Sequence, residues 1–278
     1  MVGALIIITV IGGRSYRCDL SKGQVIAIPL LFNAPQPNSY DLPAATANSW
    51  GQSGFIGDVR RGGSCNFDEV CLVPHCNGTH TECVGHISHE RISILSIPIP
   101  ALIPTTLVSV TPETASLVDE HYTPTLEEAD RCITARAVKT ALSGADPAFT
   151  EALVIRTLPN GVEKLSMRYI EHPPPFFTRE AIEFLKFMKL NHLLVDIPSL
   201  DRTFDQGLLT AHHLYWDVTE GSHEVDPTSW SRKTITEFIY VASGLSDGRY
   251  LLNLQVAPFQ LDAAPSRPIL YPIEEVAN

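Results

Sequence analysis

The densest group of side chains able to do chemistry lies in one short segment, residues 75–90. Four of the ten histidines of the chain fall there, with two cysteines and two glutamates: His75, His80, His86, His89, Cys76, Cys83, Glu82 and Glu90. Imidazole, thiolate and carboxylate groups are the ligands that zinc, manganese and iron prefer in proteins. The composition therefore indicates a metal site, although a polar loop of hydrogen-bonded histidines would have the same composition.

The spacing within this segment favours the metal site. Residues two apart on an extended strand point to the same side, so His80 and Glu82 are expected to face one centre. A turn at Asn77-Gly78 would fold Cys76 or His75 back toward that centre, because glycine permits positive φ. Either residue would then complete the site from the other side.

Charge and hydropathy exclude two classes of partner. The net charge is −11 and no lysine- or arginine-rich run is present, so nucleic acid is not expected to bind. Residues 92–111 are apolar and long enough to span a bilayer, but Pro98, Pro100 and Pro104 would interrupt a helix there. We therefore predict extended chain with turns in that stretch, and no membrane partner.

The six cysteines indicate a reducing compartment. The chain has 278 residues, far more than the small secreted scaffolds that depend on disulfides, and it contains no C-x-x-C pair. Residues 2–12 lack the basic start and cleavage site of a signal peptide, and their β-branched composition predicts a buried strand. Reduced thiols in a cytoplasmic protein are the expectation.

The elements that must position the site are mostly strands. Helices are predicted over residues 125–142 and from Thr178, where Ala181, Ile182, Leu185 and Met188 share one face. The remaining predicted strands are 25–32, 69–73, 152–158, 192–198, 234–241, 249–259 and 267–273. Helices between short apolar strands predict one α/β domain over residues 1–278, with a β-rich N-terminal part.

Several motifs in this order resemble those of one enzyme family. Gly78-Thr79-His80-x-Glu82-x-x-x-His86 is similar to H-x-G-T-H-x-D-x-P-x-H, the signature of the cyclase family of metal-dependent hydrolases, which includes kynurenine formamidase and isatin hydrolase. Three further stretches match in order: Asp19-Leu-Ser-Lys, Gly57-Asp58-Val-Arg60 and Asp196-Ile-Pro198-Ser199-Leu-Asp201. A histidine pair, His212 and His213, and a glutamate in a strand, Glu237, follow them.

The resemblance implies a single-domain cyclase-like fold of the swivelling β/β/α type. It implies an arylformamidase-like hydrolase acting on an amide, lactam or ester bond of a small molecule, that is, on C–N bonds other than peptide bonds. The implied cofactor is one or two divalent ions, with zinc expected and manganese as the alternative. A homodimer or higher homo-oligomer is also implied.

The resemblance assigns roles to individual residues. His80, Glu82, His212 and Glu237 match metal ligands, with His213 as the alternative to His212. Cys76 stands where the family has its first histidine, and His75 is the alternative one step earlier. His86 matches the general acid/base that would assist a metal-activated water in attacking the carbonyl. Glu82 in place of aspartate and Val84 in place of proline are the other departures from the family pattern.

Two other functions remain open from the residues alone. A cysteine hydrolase could use Cys83 or Cys76 with a neighbouring histidine as base. A binding protein on the same scaffold could keep the metal without catalysis. Outside the segment, Ser199 could donate a hydrogen bond or be a turn residue, while His172 and Phe176–Phe177 could wall a pocket or belong to the core.

Overall fold

The computed structural model describes residues 4–52, 54–188 and 190–276. The strands are Ile6–Ile11 (β1), Arg14–Asp19 (β2), Gln24–Val25 (β3), Thr46–Ser49 (β4), Asp68–Cys71 (β5), His80–Glu82 (β6), Ile103–Val110 (β7), Glu113–Thr114 (β8), Arg131–Ile133 (β9), Ala152–Thr157 (β10), Phe176–Phe177 (β11), His192–Val195 (β12), Thr234–Glu237 (β13), Gly248–Val256 (β14) and Ala263–Val276 (β15). The α-helices are Pro74–Asn77 (α1), Ala135–Ala141 (α2), Arg179–Phe187 (α3) and Thr210–Tyr215 (α4).

Seven of the strands close into a barrel-like sheet. Going round, the order is β15, β14, β7, β10, β12, β13 and β6, and β6 pairs with β15 to complete the ring. Strands β7, β10, β12 and β13 are parallel neighbours, whereas β6, β14 and β15 join the ring antiparallel. The long β15 makes closure possible, because its first residues pair with β6 and its middle with β14.

The parallel strands are buried on both faces, as their apolar sequences require. In β10, Leu153 and Ile155 belong to a large cluster that also contains residues of α2, α3 and α4. Ala152 and Val154 face the opposite way, into a second cluster with β7, β12, β14 and β15. The helices that connect the parallel strands therefore cover one face of the sheet, and the interior of the ring is filled by side chains.

The predicted α/β class is confirmed, and so is the β-rich start of the chain, which holds β1 to β6. The strands predicted over residues 69–73, 152–158, 192–198, 234–241, 249–259 and 267–273 all form, with shifted ends. Helix α3 begins after Thr178, whose hydroxyl accepts a hydrogen bond from Ala181 N, as an N-cap does. Whether the layers adopt the swivelling β/β/α arrangement, and whether residues 1–278 form one domain, stay predictions.

Three element predictions are corrected. The helix over 125–142 is confined to α2, because residues 131–133 pair as β9 between β8 and β11. The strand over 25–32 is reduced to β3, whereas the extended chain with turns predicted over 92–111 is confirmed as a 3-10 turn at Ile94–Ser96 followed by the eight-residue strand β7. Strand β1 forms but is not buried: Ile8 is 70% exposed, because β1 is an edge strand outside the ring. Residues 2 and 3 of that prediction lie outside the described residues.

Within the described part of the chain, no helix combines the length and the apolar character that crossing a membrane requires.

Candidate metal centre

The centre is built where β6 joins the end of the parallel strands. Strand β6 runs antiparallel to β13, and the register places His80 opposite Glu237 and Glu82 opposite Ile235. All three polar side chains are buried, with His80 at 0% exposure. His80 Nε2 lies 3.4 Å from Glu237 Oε2. The carboxyl ends of parallel strands are where open α/β sheets place their sites, and this centre follows that rule.

His80 is oriented as a metal ligand would be. Its Nδ1–H donates to the carbonyl oxygen of Gly78 at 3.0 Å, which fixes the tautomer and leaves the lone pair of Nε2 facing inward. His80 Nε2 is buried and lacks a hydrogen-bond partner among the described residues. A buried polar atom without a partner costs about 1–3 kcal/mol, so this nitrogen favours an occupant that can bind to it.

Glu82 lies at the middle of the centre and faces histidines on two sides. Its Oε1 accepts a hydrogen bond from His212 Nε2 at 2.9 Å. Its Oε2 forms an ion pair with His75 Nδ1 at 2.9 Å. The longer arm of glutamate thus reaches α1 on one side and α4 on the other.

His212 is held in place by a buried carboxylate. Its Nδ1–H donates to Asp201 Oδ2 at 2.5 Å, and Asp201 also accepts the backbone N–H groups of Ala211 and His212 at the start of α4. Tyr122 donates its hydroxyl to the other oxygen of Asp201 at 2.6 Å. A carboxylate behind a ligating histidine fixes the ring and raises its basicity.

Of the two neighbouring histidines, the structure places His212 and not His213 beside Glu82 and Glu237. His212 Nε2 is 3.7 Å from Glu237 Oε1, which also accepts the backbone N–H of Leu200. His213 is buried on the other side of α4, where its ring centroid lies 6.1 Å from that of His223.

Helix α1 delivers His75 to the centre. The predicted turn through positive φ does not form, since Gly78 has φ 168°, which is extended backbone. The chain instead returns through the four residues of α1. The ligand atoms of His75, Glu82 and His86 lie within 4.8 Å of one another, as do those of His80, Glu82 and Glu237.

Cys76 is buried beside these groups without belonging to either of them. Burial raises the pKa of its thiol to about 11, and the charges of Glu237 and Glu82 add to the rise. The thiol is therefore near the centre, but the ligand groups that the structure forms contain its neighbour His75. Cys76 as a metal ligand stays a prediction.

His86 reaches the centre through a turn. The chain leaves β6 at Cys83 and forms a 3-10 turn over Val84–His86. The turn depends on Gly85, where a Cβ atom would lie 2.0 Å from the carbonyl oxygen of Ile92. The His86 side chain is 26% exposed and its Nδ1 is 4.0 Å from Glu82 Oε2. With His75 and Asp262, it thus stands at the open side of the centre, whereas His80, Glu82, His212 and Glu237 are buried.

Asp262 is the site residue that the sequence reasoning missed. It precedes β15, whose first residue, Ala263, pairs with Glu82. Its Oδ2 accepts a hydrogen bond from His75 Nε2 at 2.8 Å and lies 3.5 Å from His86 Nδ1. A lone aspartate 182 residues after His80 has no local signal, and only the pairing of β15 with β6 brings it here.

Carboxylates and histidines lie next to one another in the centre and shift each other's pKa values. Burial opposes ionisation of Glu82, yet His86, His212 and His75 hold its pKa well below the ordinary range. Burial also disfavours the imidazolium of His212, but Asp201 and Glu82 raise its pKa well above the usual value. Burial and the charge of Glu82 raise the pKa of Glu237.

These residues fit a divalent metal ion. The donor set is imidazole nitrogen and carboxylate oxygen, which suits zinc and manganese. The lone pair of His80 Nε2, which has no hydrogen-bond partner among the described residues, and the carboxylates of Glu82 and Glu237 beside it are groups that an ion would satisfy. Strands β6 and β13 hold the donors on rigid, buried backbone.

The other residues noted in the sequence analysis make structural contacts or lie away from the centre. Asp196 is buried and accepts hydrogen bonds from Lys164 Nζ at 2.8 Å and from Thr157. The Ser199 hydroxyl accepts from Asp201 N at 3.1 Å, as a turn residue does. Phe176 and Phe177 are core residues of β11. His172 lines a cleft of about 260 Å³ whose lining includes none of the predicted site residues.

The buried thiols are poor nucleophiles. Burial raises the pKa of the Cys83 thiol to about 12, and its Sγ donates to the carbonyl oxygen of Ile92 at 3.4 Å. Only the thiolate attacks a carbonyl efficiently, and reactive cysteines have lowered pKa values. The environment of Cys83 and Cys76 therefore disfavours a cysteine hydrolase.

Known structures share this architecture at low sequence identity. A "potential metal-dependent hydrolase with cyclase activity" is 14% identical, with a TM-score of 0.56 over 90% of this chain and 98% of its own. A "predicted metal-dependent hydrolase" from Bacillus stearothermophilus is 13% identical, with a TM-score of 0.56 and the same coverage. Isatin hydrolase A from Labrenzia aggregata, bound to benzyl benzoate, is 16% identical, with a TM-score of 0.54 over 90% and 94% of the two chains. At sequence identities this low, the structural likeness shows a common fold alone.

The family itself is shown by sequence. No curated protein matches this chain. The family model described as "Putative cyclase" matches residues 19–202, more than half of the chain, including the H-x-G-T-H-like segment and the element that ends in Asp201. The resemblance stated from the motifs is thereby confirmed, and the chain belongs to the cyclase family.

Proposed function

We propose that this protein is a metal-dependent hydrolase that cleaves an amide, lactam or ester bond of a small molecule. The observation that carries the proposal is the buried group of His80, Glu82 and Glu237, whose ligand atoms lie within 4.8 Å of one another and in which His80 Nε2 lacks a hydrogen-bond partner. His80, Glu82 and Glu237 would hold the ion, with His212 and Cys76 beside it as further ligands. Zinc is the expected metal, with manganese as the alternative.

The ion would supply two things that hydrolysis at neutral pH needs, a water of lowered pKa and polarisation of the carbonyl. The protein's own residues must then handle the proton. His86 stands at the open side of the centre, where its partly exposed imidazole can reach a bound substrate. We assign to it the general acid/base role of giving a proton to the leaving nitrogen or oxygen.

The substrate class is part of the same proposal. Related structures include isatin hydrolase, whose substrate gives it its name, and a metal-dependent hydrolase with cyclase activity. Amides, lactams and esters share a carbonyl that a metal can polarise and a leaving group that His86 can protonate. An arylformamidase-like preference, a cytoplasmic location and a homodimer or larger assembly belong to the proposal as the family resemblance implies them.

The test is a turnover screen with N-formyl aryl amides, lactams and aryl esters, using protein stripped of metal and then reloaded with zinc or manganese. We expect turnover of at least one class that disappears with chelation, returns with metal and survives iodoacetamide. The variant His80→Ala should lose both bound metal and turnover. His89→Ala is the matched control, because His89 lies in the same segment but its side chain is 68% exposed.

Two outcomes would contradict the proposal. Activity that survives chelation and dies with iodoacetamide would assign the chemistry to a cysteine. Metal bound in the wild type and lost in His80→Ala, without turnover of any of the three classes, would favour a binding protein on this scaffold.

A further inference from the structure

A tyrosine beside the centre is held in a backbone conformation that tyrosine rarely adopts. Residues 39–42 form a β-turn, in which Leu42 N donates to the carbonyl oxygen of Ser39 at 3.4 Å. Tyr40 and Asp41 occupy the two central positions with φ 57° and 54°, in the left-handed region. Glycine and asparagine suit such positions, whereas a bulky aromatic residue is an outlier there. Residues in strained conformations cluster at active sites and ligand-binding sites.

The turn is fixed on two sides. On one side, Ser39 N donates to the carbonyl oxygen of Cys76 at 3.2 Å, which attaches the turn to α1. On the other side, Asn38 forms a parallel bridge with Arg168, and the guanidinium of Arg168 pairs with Asp41. The turn is therefore held next to the helix that delivers a histidine to the centre.

The phenol of Tyr40 lies within reach of the charges of the centre. Burial raises its pKa, and the charges of Glu237, Asp205 and Asp201 add to the rise. The hydroxyl therefore keeps its proton at neutral pH and is available as a hydrogen-bond donor. It has no hydrogen-bond partner among the described residues, and Tyr40 is 40% exposed.

Tyr122 shows the contrast with a phenol whose hydrogen bonds are already made. It is buried, its hydroxyl donates to Asp201 Oδ1 at 2.6 Å, and the same oxygen accepts from Arg202 N at 3.2 Å. Tyr122 thus supports the carboxylate behind His212. The hydroxyl of Tyr40, in contrast, can donate to a molecule that enters the centre from solvent.

We propose that the Tyr40 hydroxyl donates a hydrogen bond to the carbonyl oxygen of the bound amide, lactam or ester. This role rests on the proposed function, which supplies the carbonyl substrate. When water attacks, its oxygen bonds to the carbonyl carbon, its proton passes to His86, and the carbonyl π pair moves onto the carbonyl oxygen. When that pair returns, the C–N or C–O bond breaks and His86 gives the proton to the leaving atom. A donor fixed in advance beside the oxygen that becomes negative stabilises the transition state more than the ground state.

The test compares Tyr40→Phe, which keeps the ring and removes only the hydroxyl, with the wild type on the substrate found in the screen. Loss of one such donor should lower kcat by about 10²–10³-fold while KM stays near the wild-type value. Zinc affinity and urea unfolding should not change, which separates this role from a structural one. Tyr271→Phe is the matched control, because Tyr271 lies in the part of β15 that pairs with β14 and not with β6.

Binding of an aryl trifluoromethyl ketone gives a readout that does not depend on turnover, because its hydrate has the tetrahedral geometry of the intermediate. Calorimetry on zinc-loaded protein should show about 10–100-fold weaker binding to Tyr40→Phe than to the wild type or Tyr271→Phe. The proposal is overturned if Tyr40→Phe keeps the wild-type kcat and ketone affinity. It is also overturned if the variant raises KM alone, since the hydroxyl would then bind the ground state and the transition state equally.

Failure of this role can be told apart from failure of the proposed function. If the wild type turns over a substrate and Tyr40→Phe does so equally well, the role of Tyr40 fails and the proposed function stands. If the wild type turns over none of the three classes but binds the ketone more tightly than Tyr40→Phe does, the proposed function fails and Tyr40 stands as the donor to a bound oxygen. Neither turnover nor binding that depends on Tyr40 would contradict both.

Discussion

Asp201 supports the centre without contacting the space where an ion would bind, and its replacement makes a quantitative prediction. It is fully buried and accepts hydrogen bonds from Tyr122 Oη, Ala211 N, His212 N and His212 Nδ1. The substitution Asp201→Asn keeps the shape of the side chain and removes its charge. An amide also has one oxygen, where the carboxylate uses two.

The magnitude follows from this count. Each carboxylate oxygen of Asp201 accepts two of the four hydrogen bonds. In either orientation of the asparagine amide, its nitrogen replaces one of these oxygens, so at least one buried donor loses its acceptor. We expect the metal-free protein to lose about 1–3 kcal/mol of unfolding free energy. Removing a carboxylate behind a ligating histidine lowers metal affinity by about 10–100-fold, which is about 1.4–2.8 kcal/mol.

The assay is competition for zinc against a chromophoric chelator, together with urea unfolding of the metal-free protein. Asp196→Asn is the matched control, since Asp196 is also a buried aspartate in the same segment but pairs with Lys164 and Thr157. Both variants should lose stability, and only Asp201→Asn should lose metal affinity. Unchanged zinc affinity in folded Asp201→Asn, or an equal loss in Asp196→Asn, would refute the role given to Asp201.

Three further predictions concern the surrounding structure. A methyl group at Gly85 would clash with the Ile92 carbonyl oxygen. Gly85→Ala should therefore lower the free energy of unfolding, measured with heat or urea, by about 1–3 kcal/mol, and it should lower turnover because His86 is displaced. Wild-type stability and turnover in this variant would contradict the prediction. Burial lowers the pKa of His192 to about 4. The unfolded state therefore binds a proton at a higher pH than the folded state does, so the free energy of unfolding should fall by up to about 3 kcal/mol as pH drops from 6.5 toward 4. Urea unfolding should show a shallower loss in His192→Gln, and an identical pH slope would exclude His192 as its source. Thr178→Ala removes the N-cap of α3 and should lower unfolding free energy by about 1–2 kcal/mol while zinc affinity stays at the wild-type value.

Sequence reasoning succeeded where the signal is local. The two-residue spacing of His80 and Glu82 predicted that both side chains face one centre, and the strand β6 places them so. Thr178 as an N-cap and the apolar face of α3 are also local features, and both were predicted. The ordered motifs carried the family resemblance, which the family model confirms.

The errors come from tertiary pairing. Residues 131–133 have a helix-like pattern, but they are drawn into a strand because β8 and β11 offer partners. The apolar run of β1 suggested burial, whereas its position at a sheet edge leaves alternate side chains exposed. Asp262 lies at the site only because β15 pairs with β6 and closes the ring, and no local sequence feature around Asp262 predicts that contact.

The measurement that tests the central claim most directly is an anomalous difference map from a crystal of the protein grown with zinc, collected above the zinc absorption edge. We expect a peak within bonding distance of His80 Nε2 and of carboxylate oxygens of Glu82 and Glu237, and loss of that peak in His80→Ala. An ordered, folded protein with no anomalous peak between these three side chains would contradict it.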